Sequence, residues 1–284
     1  MNDVTKIPII VIVGPTASGK SDYAVKLAKE VNGEIISADS RQVYRGLDIG
    51  SGKITQDEMQ GIKHYLLDVA DPKDIFTAND FKKLGEQAIE EIHAKGKVPI
   101  LVGGTGFYIQ ALVDDLSIPE VPPDNDLRDK LESQTTENLV DQLKRLDPNR
   151  YENIDRHNRA RIIRSIEIAT KIGTVPQLVS RSKYLPRFIG IDLPKDLLYK
   201  RIHDRLLKRI DAGMIDEVQG LHDRGLSWKR LYDLGLEYRY ISQFLQDKMT
   251  EEEMLTKLET AIRQYAKRQL TWFRRDKRVE WVGM

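Results

Sequence analysis

Residues 7–21 read IPIIVIVGPTASGKS, and this stretch decides the fold. Ile7 to Gly14 is a short apolar, β-branched run of the kind that forms a strand buried on both faces. Gly14 to Ser21 then matches G-x-x-x-x-G-K-[ST], and SGKSDYAVKLAKEV continues as a helix. A strand, a glycine-rich turn and a helix in that order make a phosphate cradle. The backbone N–H groups of Gly14, Pro15, Thr16, Ala17, Ser18 and Gly19 (proline excepted) can curl around an anion, and the helix N-terminus adds partial positive charge. Lys20 supplies a point charge to the distal phosphate and Ser21 a hydroxyl to an accompanying magnesium ion. The loop alone does not distinguish a diphosphate from a triphosphate such as ATP.

The same strand-to-helix alternation continues outward. GEIISADS (33–40), HYLLDV (64–69) and KVPILVGG (97–104) read as strands. Thr77 to Lys95 reads as a helix with Phe81, Leu84, Ala88, Ile89 and Ile92 on one face and Gly96 as its stop. TGFYIQALVDDL (105–116) reads as another helix. Repeated alternation predicts an α/β fold, a P-loop NTPase-like parallel sheet flanked by helices. SIPEVPPDND (117–126) then breaks the texture with three prolines, and the following sixty or so residues are polar and helical. Strand character returns at PRFIGIDLP, followed by helical stretches over Leu197–Arg224 and Glu251–Arg275 and a strand-like VEWVG. The expected domains are a core of 1–116 with 187–284 and a helical insertion over 117–186.

The chain has 284 residues, no cysteine, and 45 Lys and Arg against 44 Asp and Glu. A core of this size needs no covalent staples, and disulfides, thiolate zinc and a cysteine nucleophile are excluded. The sequence has no apolar run of membrane-spanning length, and its start, with acidic Asp3, lacks the features of a signal peptide. A cytoplasmic protein is expected, without a membrane partner. Charge is segregated despite the near-zero sum. Arg156, Arg159, Arg161 and Arg164 crowd one stretch, and 257–278 holds eight Lys and Arg against Glu259 and Asp276. Such patches steer polyanions, although either could be an ordinary solvated helix face.

Asp39 falls at the carboxyl end of the second strand, the edge where open parallel sheets bind ligands. It could ligate magnesium, act as a general base, or merely cap the next turn. Ser40, Arg41 and Gln42 follow where an acceptor substrate would lie, and Thr105 stands at the same edge after the glycine-rich turn 103–106. Lys53 is a further phosphate candidate. On a helix over 197–224, Arg201, Arg205 and Arg209 form one stripe, suited to a diphosphate or to pairing with Asp204, Asp211 or Asp216. No second acidic strand end and no N-K-x-D-like guanine reader is present, which disfavours a switch GTPase. A small-molecule kinase and a transferase that releases a diphosphate remain open.

GPTASGKS, SADSRQVYRGLDIGSGK (37–53), LVGGTGFYIQAL (101–112), NRARIIRSIE (158–167) and AKRQLTWFR (266–274) occur in the order seen in tRNA dimethylallyltransferases. The resemblance covers nearly the whole chain. It implies transfer of the dimethylallyl group of dimethylallyl diphosphate to N6 of the adenosine 3′ of the tRNA anticodon, with magnesium as cofactor. It further implies that Gly14 to Ser21 cradle the diphosphate and that Thr16, Lys20 and Arg205 assist its departure. Asp39 would take the amine proton. Asp39, Ser40, Arg41, Gln42, Thr105 and, in the insertion, Arg128, Arg161 and Arg164 would contact the anticodon stem-loop. A kinase or a free-adenylate prenyltransferase is the alternative. One departure stands out: GLEYRY (235–240) replaces a G-Y-[RK] sequence common in the family, leaving Glu237 and Tyr238 without roles. Without a zinc-finger tail or transit peptide, a monomer of the bacterial type is expected.

Overall fold

The computed structural model describes residues 6–283; the acidic start read at Asp3 lies outside them. The core begins β1 (Ile7–Val13), α1 (Lys20–Glu30), β2 (Gly33–Ala38), the one-turn α2 (Gln56–Met59), β3 (His64–Tyr65), α3 (Ala78–Ala94), β4 (Val98–Gly103) and α4 (Gly106–Val113). Four helices follow: α5 (Asn125–Glu132), α6 (Thr136–Leu146), α7 (Pro148–Glu152) and α8 (Arg159–Ile172). The core resumes with β5 (Tyr184–Asp192), α9 (Lys195–Asp211), α10 (Met214–Asp223), α11 (Trp228–Leu234), α12 (Leu236–Phe244), α13 (Glu251–Phe273) and β6 (Val279–Gly283). Contacts divide the chain into one unit up to Asp115 and from Arg181 onward, and a second unit of Leu116–Ser180.

In the first unit all six strands are parallel, in the order β3-β2-β4-β1-β5-β6. β1 is central, flanked by β4 and β5, so its Ile and Val side chains are covered on both faces. One face carries Ile9, Val11, Ile36, Phe81 and Leu112; the other carries Ile12, Val25, Ile35 and Ile100. Phe81 stacks on Tyr108 with centroids 4.6 Å apart, fixing α3 against α4. Burying an aromatic of this size contributes about 2–3 kcal/mol. The start of α3 is a capping box: Thr77 accepts from Asp80 N–H and Asp80 accepts from Thr77 N–H, as the sequence pattern TAND allows. A further apolar cluster, including Leu47, Leu206, Val218, Tyr238 and Leu258, binds the C-terminal helices to the segment after β2. In the second unit, Leu131, Leu139, Leu143, Ile162 and Ile166 form a small separate core.

Several sequence expectations need correction. HYLLDV yields only the two-residue β3, because Leu66 and Asp68 turn to positive φ (62° and 57°). The helix expected over 197–224 is two helices, broken at Gly213, whose φ of 92° favours glycine. β5 starts at Tyr184, earlier than the expected return at Pro186, pairing Tyr184 with Ile7.

Candidate active site

The carboxyl ends of β1, β2 and β4 bring the phosphate loop, Asp39 and Thr105 to one edge of the sheet, as parallel topology requires. The loop's curl is visible in its dihedrals: Gly14 at φ 150°, Ala17 at 61° and Gly19 at 89°. A Cβ on Gly14 would sit 2.7 Å from the carbonyl oxygen of Ile191, so only glycine fits there. Ser18 Oγ is buried without a hydrogen-bond partner among the described residues. The Ser21 side chain is exposed at the start of α1.

Gln269 holds the loop from the far end of the chain. Its Oε1 accepts from Thr16 N–H at 2.8 Å, and its Nε2 donates to the Gly104 carbonyl at 3.1 Å. One buried amide thus ties the phosphate loop to the β4–α4 turn. Beside it, Tyr265 is hydrogen-bonded to Thr105, and burial pushes its hydroxyl up to about 12. Thr105 Oγ1 in turn accepts from Ser40 N–H at 3.1 Å.

Asp39 divides its labour. Oδ1 accepts from the N–H groups of Arg41 (2.8 Å) and Gln42 (3.3 Å), capping the turn. Among the described residues its other oxygen makes no hydrogen bond. The capping and catalytic readings therefore coexist in one carboxylate. Arg41 donates through Nε to the Leu234 carbonyl, and Gln42 bridges Ser37 Oγ and the Gly52 carbonyl. Both side chains brace the edge from which Asp39 projects. Lys53 is engaged by the Tyr44 carbonyl, Asp48 and Asp68, so its task is to fasten its own loop rather than to meet a phosphate.

The arginine stripe faces this edge. Arg201 donates to the Ser18 carbonyl, Arg205 to that of Gly52 and Arg209 to that of Gly50, each at 3.4 Å. Gly52 has φ 59°, and a Cβ there would lie 1.6 Å from Arg209 Nη2 and 2.2 Å from Arg205 Nη2. The two guanidinium groups converge over that glycine. The expected pairing with Asp204, Asp211 or Asp216 does not occur for Arg209; its partner is the buried Glu237, at 3.2 Å. Asp204 pairs with Lys200 instead. The loop itself is set by Glu217, whose carboxylate accepts from the N–H groups of Asp48 (3.0 Å), Ile49 (2.6 Å) and Gly50 (3.0 Å) and from the Tyr238 hydroxyl (3.0 Å).

Burial dominates the electrostatics of the site. Desolvation, then the nearby Arg205, lowers Lys20 to about 7, with Asp39 opposing. Desolvation and Arg209 lower Arg205 to about 10. Burial raises Glu237 against the pull of Arg209 and Arg205. Cations held below their ordinary values are poised to gain from an arriving polyphosphate.

In the second unit, Glu167 is buried and accepts from Arg128 Nε and Nη2 (2.9 Å each), from Asp124 N–H (2.6 Å) and from Arg164. Arg128 thus ties α5 to α8, while Arg164 braces Glu167 from within α8 and donates to the Val121 carbonyl, and Arg161 is exposed. In the first unit, a recess of about 400 Å³ next to Thr105 is lined by Gly106, Gln110, Trp272, Arg275, Lys277 and Arg278. Arg278 is engaged there by Asp114 and Asp276, whereas the Trp272 indole with the exposed Arg275 and Lys277 suits a nucleic-acid strand.

Sequence reading missed Gln269, Glu217 and the partner of Arg209. Gln269 lies within the AKRQLTWFR block, and Glu237 within the sequence that departs from the family pattern.

The IPP transferase family model matches residues 42–276. The tRNA dimethylallyltransferase 1 of Syntrophus aciditrophicus is 43% identical over 275 residues, covering 95% of this chain and 90% of that protein. The tRNA dimethylallyltransferase of Halalkalibacterium halodurans is 40% identical over 290 residues, covering 98% and 92%. Among solved structures, the full-length tRNA isopentenylpyrophosphate transferase from Bacillus halodurans superposes with a TM-score of 0.75 at 40% identity, covering 98% of this chain and 90% of that one. A eukaryotic dimethylallyltransferase acting on tRNA gives 0.82 at 26% identity, covering 98% and 74%. With such identity sustained over nearly the whole of both chains, this protein belongs to the IPP transferase family, among the tRNA dimethylallyltransferases.

Proposed function

We propose that this chain transfers the dimethylallyl group from dimethylallyl diphosphate to N6 of the adenosine 3′-adjacent to the anticodon of tRNA, releasing diphosphate. The observation that carries this reading is that Lys20 of the phosphate loop and Arg205 are gathered, buried, with Asp39 at one edge of the sheet. An adenine amine is a poor nucleophile, so the barrier falls only if the leaving group is stabilised as the C–N bond forms. The phosphate loop, Lys20 and Arg205 meet the charge that develops on the diphosphate as the C–O bond breaks, and Thr16 lies in the same loop. Asp39 accepts the amine proton through its unshared oxygen. Exclusion of water around the allylic carbon prevents hydrolysis from competing.

Magnesium fits these residues. Ser21 carries a hydroxyl in the first turn of α1, directly after Lys20, and among the described residues Asp39 uses only Oδ1 and the buried Ser18 Oγ has no hydrogen-bond partner. Magnesium ordinarily keeps several waters and binds through one or two protein groups together with substrate phosphates. Bound there by Ser21, magnesium would supply charge neutralisation to the diphosphate.

The target base has to leave its stack, at a cost of a few kcal/mol. Contacts from the basic recess beside Trp272, from Ser40 to Gln42 and Thr105, and from Arg128, Arg161 and Arg164 would offset that cost. Action as a monomer belongs to the same reading, and a tRNA substrate supports a cytoplasmic setting. Among the described residues no helix is long and apolar enough to cross a membrane.

The test is to combine the protein with magnesium, labelled dimethylallyl diphosphate and unmodified tRNA, then digest the RNA and identify the labelled nucleoside. Label on the adenosine beside the anticodon is expected. Label only on free adenylate would overturn the acceptor, and ATP turnover on a small molecule would restore the kinase reading. Asp39→Ala is expected to abolish transfer with tRNA affinity nearly intact.

A further inference from the structure

Donor departure as described above uses Arg205 and leaves its neighbours Arg209 and Glu237 without a task. Arg205 and Arg209 stand one turn apart on one face of α9. Their guanidinium groups converge: a Cβ on Gly52 would lie 2.2 Å from Arg205 Nη2 and 1.6 Å from Arg209 Nη2, so the two nitrogens share one spot over that glycine. Like charges in contact and shielded from water repel, and an anion beside them relieves the repulsion. Arg205 forms no ion pair among the described residues and donates to the Gly52 carbonyl. It lies within electrostatic reach of Lys20 and Asp39, which ties this spot to the phosphate loop.

Both hydrogen bonds of Arg209 leave through Nη1, to the Gly50 carbonyl at 3.4 Å and to Glu237 Oε1 at 3.2 Å. Its Nη2, the nitrogen beside Arg205, is therefore uncommitted among the described residues. Two adjoining cationic nitrogens, one of them uncommitted, present the kind of paired donor that phosphate oxygens accept. Glu237 comes from the first turn of α12, within the GLEYRY sequence that departs from the family pattern. The Arg209 and Glu237 side chains are only 14% and 12% exposed. By taking Nη1 alone, the carboxylate holds the guanidinium with Nη2 turned toward Arg205, and its negative charge opposes that of an arriving anion.

On the diphosphate reading above, we propose that Arg209 is a second guanidinium ligand of the diphosphate beside Arg205, and that Glu237 is the positioning residue that fixes Arg209 and moderates its grip. The two arginines act on one anion from one spot, so no order among its phosphates is required. Calorimetric titration with magnesium pyrophosphate reads the effect. Arg209→Gln should bind it about ten- to one-hundred-fold more weakly, the range of one charge-assisted contact. Glu237→Gln keeps an amide oxygen for Nη1 but loses the opposing charge, and should bind it about tenfold more tightly. The double variant should match Arg209→Gln, because a buried carboxyl deprived of its guanidinium takes up a proton and is already neutral.

A purely structural pair would loosen the 46–53 loop whichever partner is changed, moving pyrophosphate affinity in the same direction in both single variants. That result, or unchanged affinity in both, would overturn the assignment. Should Arg209→Gln fail to fold, Glu237→Gln decides alone: tighter pyrophosphate supports the proposal, and equal or weaker binding overturns it. Absence of pyrophosphate binding to the wild type is a distinct failure, since it would sink the donor site itself and this role with it.

Discussion

The Glu217→Gln substitution isolates what one carboxylate does for the site. Glu217 Oε2 accepts from Asp48 and Ile49 N–H, and Oε1 accepts from Gly50 N–H and the Tyr238 hydroxyl. Glutamine keeps one oxygen. Placed toward Asp48 and Ile49, it preserves two bonds in weaker, uncharged form and points an NH₂ group at Gly50 N–H. The tyrosine hydroxyl can rotate to accept, but the Gly50 amide cannot, and is left without a partner. Losing one charge-assisted bond costs about 1.5–3 kcal/mol, and discharging two others about 1 kcal/mol each, so the loop should lose about 3–5 kcal/mol. Because the Gly50 and Gly52 carbonyls hold Arg209 and Arg205, the loss should reach the cradle as weaker pyrophosphate binding. Urea denaturation and amide hydrogen exchange of residues 46–53, paired with pyrophosphate titration, measure both effects. A variant with wild-type exchange in this loop and unchanged pyrophosphate affinity would refute the reasoning.

Lys20 ties stability to pH. Its folded pKa of about 7 lies below the ordinary lysine value of 10.5, so between those values the unfolded chain binds more protons. Stability of the ligand-free protein should therefore rise from pH 7 toward pH 10, by an amount on the order of a few kcal/mol. Lys20→Met should remove that slope in urea titrations at pH 6.5 and 9. Glu167 behaves oppositely: hydrogen bonds from Arg128 and Arg164 hold its carboxyl below the ordinary range despite burial. Its contribution is present above pH 4.5 and is lost as pH falls through the folded value, so Glu167→Gln should flatten acid unfolding of the helical unit, read by exchange protection of α5 and α8. Gln269→Ala strips the acceptor from Thr16 N–H and should cost about 1–3 kcal/mol, while raising KM for the diphosphate donor more than that for tRNA.

What was legible in the sequence was what a short contiguous stretch dictates. The strand-loop-helix of 7–30, the helix over 77–95 and the sheet-edge position of Asp39 all follow from residues close together in the chain. HYLLDV misled because an apolar run of strand length carries no sign that Leu66 and Asp68 will leave the extended region; Leu66 is buried all the same, so hydrophobicity reported depth and not conformation. The break between α9 and α10 had a signal in Gly213, outweighed by amphipathic periodicity on both sides.

The polar framework of the site was beyond reach for a different reason. Gln269 meets Thr16 across 253 residues, and Glu217 meets Ile49 across 168. A buried amide or carboxylate that satisfies distant backbone N–H groups imposes no local period and leaves no trace in its neighbours. Its necessity appears only when the loop it serves is examined: a backbone curled to present N–H groups to a ligand cannot use them for secondary structure, so something else must hold the curl. In this protein the supports come from α10 and α13, which lie far downstream of the loops they brace. The helices C-terminal to β5 therefore do more than cover the sheet. They set the geometry of a binding edge whose own motifs are encoded in the first 106 residues, and substitutions there should alter donor binding without touching the phosphate loop.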